Sequence, residues 1–416
     1  MAIQQSLPAV PLDIFELIIG TLASSSDLAS IKSLCLANTS LVHLCRKEIF
    51  GTLEIKPKSW PDRPIEQFMP IYFARQTIAS YIRDLRLWVE FHDHKSLDVA
   101  VSLLGSRHLK NVRSFQLGFK EDLSFSPTRK EMTAIPDQFV NALCKFITTN
   151  SIERLELWQI NGFPITLFNY LPHLRELLLY NVGFAQTHVP NFLRKRSTCV
   201  PRLRELHLKR NISSALLDIL NQKIPVLDLG HLEDLMIYLE DEYGKEMLNT
   251  RLFSTPQTLK KIIVGGTSPQ LERLKHFAEN IHPKSLRTLQ TLSFSVLLEK
   301  SGQDPLASII DELTAISGQT TLENLLLSIA IDWDIRCPVT ADVWGRLESV
   351  LVPQGSFPAL KRVTIGITIT QYESRDHEEF KAQLEDIGRN YLTKLDKAVD
   401  LTIEVGVTII RQAEMY

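Results

Sequence analysis

The sequence predicts an α/β chain: a three-helix module at the N-terminus, then a solenoid in which short parallel strands alternate with helical connectors. Three observations predict it. Apolar residues recur at helical spacing in three short runs between Val10 and Ile55, one strand-like apolar triplet returns from Ile82 to Ile365, and the stretches between triplets carry helical periodicity.

The first run is VPLDIFELIIGTLAS. Pro11 suits the first turn of a helix, where its missing N–H would have no intrahelical partner, and Asp13 adds negative charge at the positive end of the helix dipole. Ile14, Leu17, Ile18 and Leu22 recur at three- and four-residue spacing, while Phe15 and Ile19 widen the apolar face. Ser24 to Asp27 break the run, and Ser26 or Asp27 can cap a second helix carrying Leu28, Ile31, Leu34 and Cys35. A third run places Leu41, Leu44, Cys45, Ile49 and Phe50 on one side. Three short helices make a core too small to cover that much apolar surface, so part of it is expected to meet another protein.

These residues resemble the F-box, in the degenerate form common in fungal proteins. Val10-Pro11-Leu12-Asp13 stands where the family has Leu-Pro-x-Glu, and Ile14, Ile18, Leu22, Asp27-Leu28 and Leu34-Cys35 follow at the expected offsets. Phe50 to Leu53 end the module as the family's closing aromatic and Leu do, whereas Asn38, Thr39 and Ser40 stand where a tryptophan is often found. The resemblance implies docking on the Skp adaptor of cullin-RING ubiquitin ligases, with Val10, Pro11, Ile14, Phe15, Ile18, Leu22 and Leu28 as the contact residues. The alternative is a helical cap on the domain that follows. Residues 8–55 form the module in this reading, 56–64 (KPKSWPDRP) a proline-rich hinge, and 65–416 the solenoid.

Composition narrows the function classes. The chain has 416 residues, 44% of them hydrophobic and 23% charged, as in ordinary globular proteins. Its formal net charge of -2 gives no long-range pull towards nucleic acid or anionic lipid. No apolar run approaches the roughly 20 residues of a membrane span, and Met1 to Val10 lacks the basic start and apolar run of a signal peptide. Cys35, Cys45, Cys144, Cys199 and Cys337 are scattered and odd in number, so reduced thiols in the cytoplasm or nucleus are expected rather than disulfides or a zinc site.

The repeating unit is an apolar residue, two mostly polar ones, an apolar residue, any residue, and another apolar residue. It reads Ile82, Leu85, Leu87; Val112, Phe115, Leu117; Ile152, Leu155, Leu157; Leu174, Leu177, Leu179; and Leu203, Leu206, Leu208. It continues as Leu232, Leu235, Ile237; Leu259, Ile262, Val264; Leu289, Leu292, Phe294; Leu322, Leu325, Leu327; and Leu360, Val363, Ile365, with a weak copy at Ala398, Leu401, Ile403. Alternation within each triplet means a short strand with one face inward. Helical connectors are expected at 65–81, 96–105, 136–149, 213–221, 269–281, 305–316, 340–350 and 377–397.

These segments resemble irregular leucine-rich repeats, L-x-x-L-x-L, and their spacing of roughly 22 to 40 residues is close to or above that family's period. Only Leu203 to Asn211 completes the motif with its Asn; elsewhere Ile160, Val182, Glu240 or Ala330 holds that place. The resemblance implies parallel strands on a concave face. An ordinary doubly wound sheet is the alternative.

In a solenoid the residue between the last two apolar positions points outward. Arg86, Gln116, Glu156, Leu178, His207, Met236, Ile263, Ser293, Leu326 and Thr364 would line that face, and its apolar members suggest a surface for an unidentified target protein. Leu178, His207, Met236 and Leu326 are the chosen target-facing residues. Trp88, Trp158, Tyr180 and Tyr238 follow their strands and are expected to pack under the next loop rather than to anchor a partner.

Signals for catalysis are thin. His92-Asp93-His94 has metal-ligand types without supporting spacing, and Asp332-Trp333-Asp334 pairs carboxylates without the closed pocket that acid and base work requires. Gly265-Gly266 reads as a turn, lacking the third glycine and Lys of a phosphate loop. Arg194-Lys195-Arg196 and Glu240-Asp241-Glu242 read as solvated surface, and the Ser-Pro in the basic loop SFSPTRK (124–130) is a phosphorylation-type site of a kind common by chance. The expectation is a non-enzymatic adaptor of a cullin-RING ligase with no cofactor and no metal, joining the Skp adaptor and cullin scaffold to a target. A non-ubiquitin interaction scaffold is the alternative, and a hydrolase around Asp332 or His92 a third.

Overall fold

A computed structural model describes residues 11–25, 27–56, 76–90, 94–120, 130–131, 137–185, 200–209, 220, 225–239, 251–267, 271, 277–298, 304–332, 341–352, 355–371 and 378–409. The fold is α/β, with helices at the N-terminus and 12 parallel strands ordered in the sheet as they are in the chain. The chain divides into two compact units, 1–160 with 190–195, and 161–189 with 196–416.

The first unit opens with α1 (Leu12–Ser24), α2 (Leu28–Ala37), a 3-10 turn (Thr39–Leu41) and α3 (Val42–Ile49). Pro11 is the residue that caps α1 rather than its first helical residue, and Asp13 lies in the first turn as expected. Asp27 caps α2, its carboxylate accepting from the Ser30 N–H at 3.0 Å and the Ser30 hydroxyl at 2.6 Å. Those two hydrogen bonds favour the ionised carboxylate and lower its pKa. Ile19, Ile31, Leu41 and Cys45 form the buried centre of the module, with Phe15, Leu22, Leu34, Cys35, Leu44 and Ile49 packed around it.

Strands β1 (Thr52–Ile55), β2 (Asp84–Glu90), β3 (Ser114–Lys120) and β4 (Arg154–Trp158) complete the first unit, joined in part by α4 (His94–Leu104) and α5 (Asp137–Thr149). β1 moves a boundary. Thr52 to Ile55 pair with Asp84 to Leu87 and belong to the sheet, so the helical module ends before 52 rather than at 55. Phe50-Gly51-Thr52-Leu53-Glu54-Ile55 is itself a copy of the apolar triplet. Apart from Lys56, the hinge at 56–64 lies outside the described residues.

The second unit holds β5 (Glu176–Tyr180), β6 (Glu205–Lys209), β7 (Asp234–Leu239), β8 (Lys261–Thr267), β9 (Thr291–Leu298), β10 (Asn324–Asp332), β11 (Arg362–Gln371) and β12 (Asp400–Ile409). Helices α6 (Ala307–Ile316) and α7 (Ala341–Leu351) match the expected connectors closely. The connector expected over 377–397 is three pieces, Glu378–Glu385, Ile387–Tyr391 and Thr393–Ala398. The shortest step, from Leu155 to Leu177, has room only for a 3-10 segment, Ile165–Tyr170. Connector 213–221 apart from residue 220, and most of 65–81 and 269–281, fall outside the described residues.

Every first, second and third apolar residue of the triplets from Ile82 to Leu327 is buried. Leu360 and the copy at Ala398 are less covered, Ala398 being exposed. The two polar residues between the first and second apolar positions have a main-chain task. Their successive N–H groups both donate to one carbonyl of the preceding strand start, at 2.7–3.0 Å: Arg83 and Asp84 to Gly51, Arg113 and Ser114 to Arg83, Glu153 and Arg154 to Arg113. The second unit repeats it with Arg204 and Glu205 on Arg175, Glu233 and Asp234 on Arg204, Lys260 and Lys261 on Glu233, and onward to Lys361 and Arg362 on Glu323. The ladder therefore fixes register from main-chain atoms, and the buried apolar residues on either side keep it dry.

Where the repeat motif would carry Asn, Ile160 and Val182 are fully buried apolar plugs. Each follows a residue in the left-handed region, Gln159 (φ 57) and Asn181 (φ 53), which turns the chain out of its strand.

Candidate functional site

Two surfaces collect the residues singled out above, one on the helical module and one on the outward face of the strands. On α1, Ile14, Leu17 and Ile18 share one side because three- and four-residue spacing makes them neighbours. They are 44%, 69% and 44% exposed, while Ile19, one residue on, is buried. Leu12, Leu28 and Leu36 are also exposed. Of the eight large apolar side chains that are exposed among the described residues, six lie on α1 and α2. Water contact for so many aliphatic groups in one small module is unfavourable by about 25 cal/mol per Å² relative to burial.

The expected contact residues divide. Ile14, Ile18, Leu28 and Pro11 are exposed. Phe15 and Leu22 pack inward against the module core and leave only part of their surface outside. Val10 lies outside the described residues. Leu12, Leu17 and Leu36 were not among the expected contact residues, although the helical spacing of Leu17 with Ile14 and Ile18 carried the signal. Polar contacts brace the module from the other side: the Lys47 ammonium meets the Glu16 carboxylate at 2.9 Å and, by that hydrogen bond and its charge, lowers the Glu16 pKa.

The outward face follows the strand register. In the second unit Leu178 stands beside His207, His207 beside Met236, Met236 beside Ile263, Ile263 beside Ser293, and Ser293 beside Leu326. Leu326 is exposed and the others are half-buried. Leu297, exposed on the same face of β9, was missed because it lies beyond the triplet. His207 faces Asp234, with 3.9 Å between Nε2 and the nearer carboxylate oxygen, and the Lys261 ammonium closes on the same carboxylate at 3.2 Å.

The aromatic residues overturn an expectation. Trp88, Trp158, Tyr180 and Tyr238 lie within their strands, two residues beyond Arg86, Glu156, Leu178 and Met236, and so share the outward face rather than packing inward under loops. In the first unit Trp88 covers Gly118 and its ring centroid is 5.9 Å from that of Trp158. In the second, Tyr238 covers Gly265 and the Lys209 ammonium stands 5.4 Å from its ring centroid. Gly265 and Gly266 are therefore strand residues of β8, not a turn. The absent side chain makes room for the neighbouring ring, a use that two glycines after a strand-like run do not reveal by themselves.

The candidates for chemistry stay apart or fall outside. His92, Asp93, Trp333 and Asp334 are outside the described residues, as are Arg194 to Arg196, Ser124 to Arg129, Glu240 to Glu242 and Asn211. His94 begins α4 and Asp332 ends β10. Among the described residues no group of three His, Cys, Asp or Glu is placed to hold a metal ion, and no helix is long and apolar enough to cross a membrane. Burial pushes the Cys144 thiol up to about 11 and raises that of Cys45. No protein-family model matches the chain, and no curated protein matches it.

Proposed function

We propose that the chain is a substrate-recognition subunit of a cullin-RING ubiquitin ligase: α1 and α2 dock the Skp adaptor, and the outward face of the strands holds a target protein. The observation that carries this reading is the exposed aliphatic surface of Ile14, Leu17, Ile18, Leu28 and Leu36 on a helical module whose own core is already filled by Ile19, Ile31, Leu41 and Cys45. A helix that caps a neighbouring domain turns its apolar side inward. Here α1 fills the module core with Phe15, Ile19 and Leu22 and still leaves a second apolar side open. In this reading the strands form an irregular leucine-rich-repeat solenoid, and the chain lends surfaces rather than catalytic groups.

The test is co-purification. Ile14→Asp combined with Ile18→Asp is expected to abolish capture of a Skp adaptor while thermal stability stays within about 0.5 kcal/mol of the parent, since neither side chain fills the core. Adaptor capture that survives the double substitution in a folded protein overturns the reading.

A second reading rests on the outward face. Exposed Leu326 and Leu297, with half-buried Leu178, Met236 and Ile263, fit an interaction scaffold that needs no ligase. It predicts that Leu326→Asp releases a partner which the α1 substitutions leave bound.

A further inference from the structure

The first unit contains a cleft of ≈ 460 Å³ lined by His43, Lys47, Ser80, Tyr81, Arg83, Lys110, Asn111, Val112, Arg113 and Ser151. Four of these side chains are full cations and none is a carboxylate. That is a marked local departure for a chain with a formal net charge of -2.

The cations are held in place by the fold. Arg83 and Arg113 occupy the same position of successive strand starts, because the Arg113 N–H donates to the Arg83 carbonyl as the Arg83 N–H donates to Gly51. Their main chains are therefore about 4.8 Å apart, one strand spacing. Lys47 and His43 are one turn apart on α3 and so share its side. Tyr81 ties that helix to the strands: its hydroxyl is 3.1 Å from His43 Nδ1, and the two ring centroids lie 5.3 Å apart with their planes tilted by 55°. Lys110 and Asn111 sit on a loop that is clamped from below by Asn150, a buried amide that accepts from the Val112 N–H at 3.1 Å and donates to the Leu109 and Phe146 carbonyls at 3.2 and 3.0 Å. The loop is clamped again from its own side, where the Asn111 amide donates to the Ser80 carbonyl at 2.7 Å.

Equivalent positions elsewhere in the ladder show what a merely structural charge does there. Lys260 pairs with Glu233 on the preceding strand start at 2.8 Å, and Lys361 pairs with Glu323 at 2.9 Å. Arg83 has Gly51 and Arg113 as its ladder neighbours instead. Lys47 is engaged by Glu16 at 2.9 Å and Arg113 by Glu153 at 3.5 Å; Arg83 acts on the Glu16 carboxylate only through space, and neither Arg83 nor Lys110 makes a close ion pair among the described residues. Four cations against two carboxylates leave the cleft net positive, with like charges held near one another at a cost that a bound anion removes.

From this geometry we infer that the cleft is a binding site for a phosphoryl group. A phosphoryl dianion offers three strong acceptor oxygens and a charge close to the excess present, and guanidinium and ammonium groups bind it through short charge-assisted hydrogen bonds. The volume exceeds what a phosphoryl group fills. The remaining lining, Ser80, Tyr81, Asn111 and Ser151, supplies neutral donors and acceptors for whatever carries the group. The inference does not rest on the ligase reading, since it uses neither the exposed side of α1 nor the outward face of the strands.

The experiment is titration calorimetry on the full chain with three probes at matched ionic strength: pyrophosphate, the capped pentapeptide Ala-Ala-phosphoserine-Ala-Ala, and its unphosphorylated form. Saturable one-to-one binding of at least one phosphorylated probe is expected, with none of the plain peptide. Arg83→Gln and Lys110→Gln, both at exposed positions, should each weaken that binding about tenfold, and together about a hundredfold, without moving the melting temperature. Lys361→Gln, at an equivalent strand start in the second unit, should leave it unchanged. Tighter binding of the phosphopeptide than of pyrophosphate identifies a protein-borne group; the reverse order identifies a free phosphorylated small molecule. The inference is overturned if neither phosphorylated probe saturates up to about 10 mM, or if binding persists unweakened in the double variant.

Discussion

Tyr238 lies across Gly265 so closely that a Cβ on the glycine would stand 2.5 Å from the ring's Cε1. The two residues face each other in register on β7 and β8, so the ring is seated by the neighbouring strand and not by a loop. Gly265→Ala should force the ring aside and cost about 1–3 kcal/mol of unfolding free energy, the usual range for overpacking a fitted contact. Urea denaturation checks it. Gly118→Ala, whose Cβ would meet Trp88 at 2.4 Å, should behave alike and also shift the Trp fluorescence.

Asn150 is a buried amide whose loss leaves the Val112 N–H and the Leu109 carbonyl without their partners. Asn150→Ala is expected to destabilise the protein by about 1–3 kcal/mol, and Asn150→Asp by more, because an unpaired charge would replace a satisfied amide. Hydrogen exchange should report faster exchange at the Val112 amide than in the parent, and unchanged protection there would contradict the clamp described for the 109–112 loop.

Cys144 has its thiol pushed up to about 11 by burial among the side chains of α5. A folded-state pKa above the ordinary value of 9.0 means that the fold retains the proton, so this group's contribution to stability is complete below pH 9 and declines as the pH rises through about 11. At pH 8 the thiol should resist maleimide in the native protein and react on denaturation, whereas half-buried Cys35 should label before it. Peptide mapping by mass spectrometry separates the sites. Labelling of Cys144 as fast as Cys35 would show α5 to be open.

Much of this architecture is legible in the residues, and for a physical reason. A strand with one buried face must alternate, so Leu85 and Leu87, or Ile262 and Val264, announce both the strand and its inward side. The amphipathic runs of α1, α5, α6 and α7 are equally plain. The strand at Thr52–Ile55 was hidden because Phe50 and Leu53 also fit the end of a helical module, and local pattern cannot decide between two neighbours that both bury apolar residues. The outward aromatics were misread for a related reason. Aromatic side chains usually bury themselves, and only the glycine one strand away, about 27 residues on in the chain, gives the Tyr238 ring a seat in the open face.

Of the surfaces, the exposed side of α1 could be read from helical spacing. The cationic cleft could not. Lys47, Arg83 and the neighbouring Lys110 and Arg113 are separated by long intervals in a chain of nearly balanced charge, and only the stacking of strand starts beneath α3 brings the three places together. Composition averages over such groupings, whereas topology creates them.

The shared carbonyl that joins each strand start to the next asks nothing of the two side chains above it, only that both residues keep an amide hydrogen. Proline is the one residue it forbids, and none of the donor positions from Arg83 to Arg362 carries one, although the chain has 20 prolines. Mutation is therefore free to rewrite the decoration of that edge, charge by charge, while the joint beneath goes on holding.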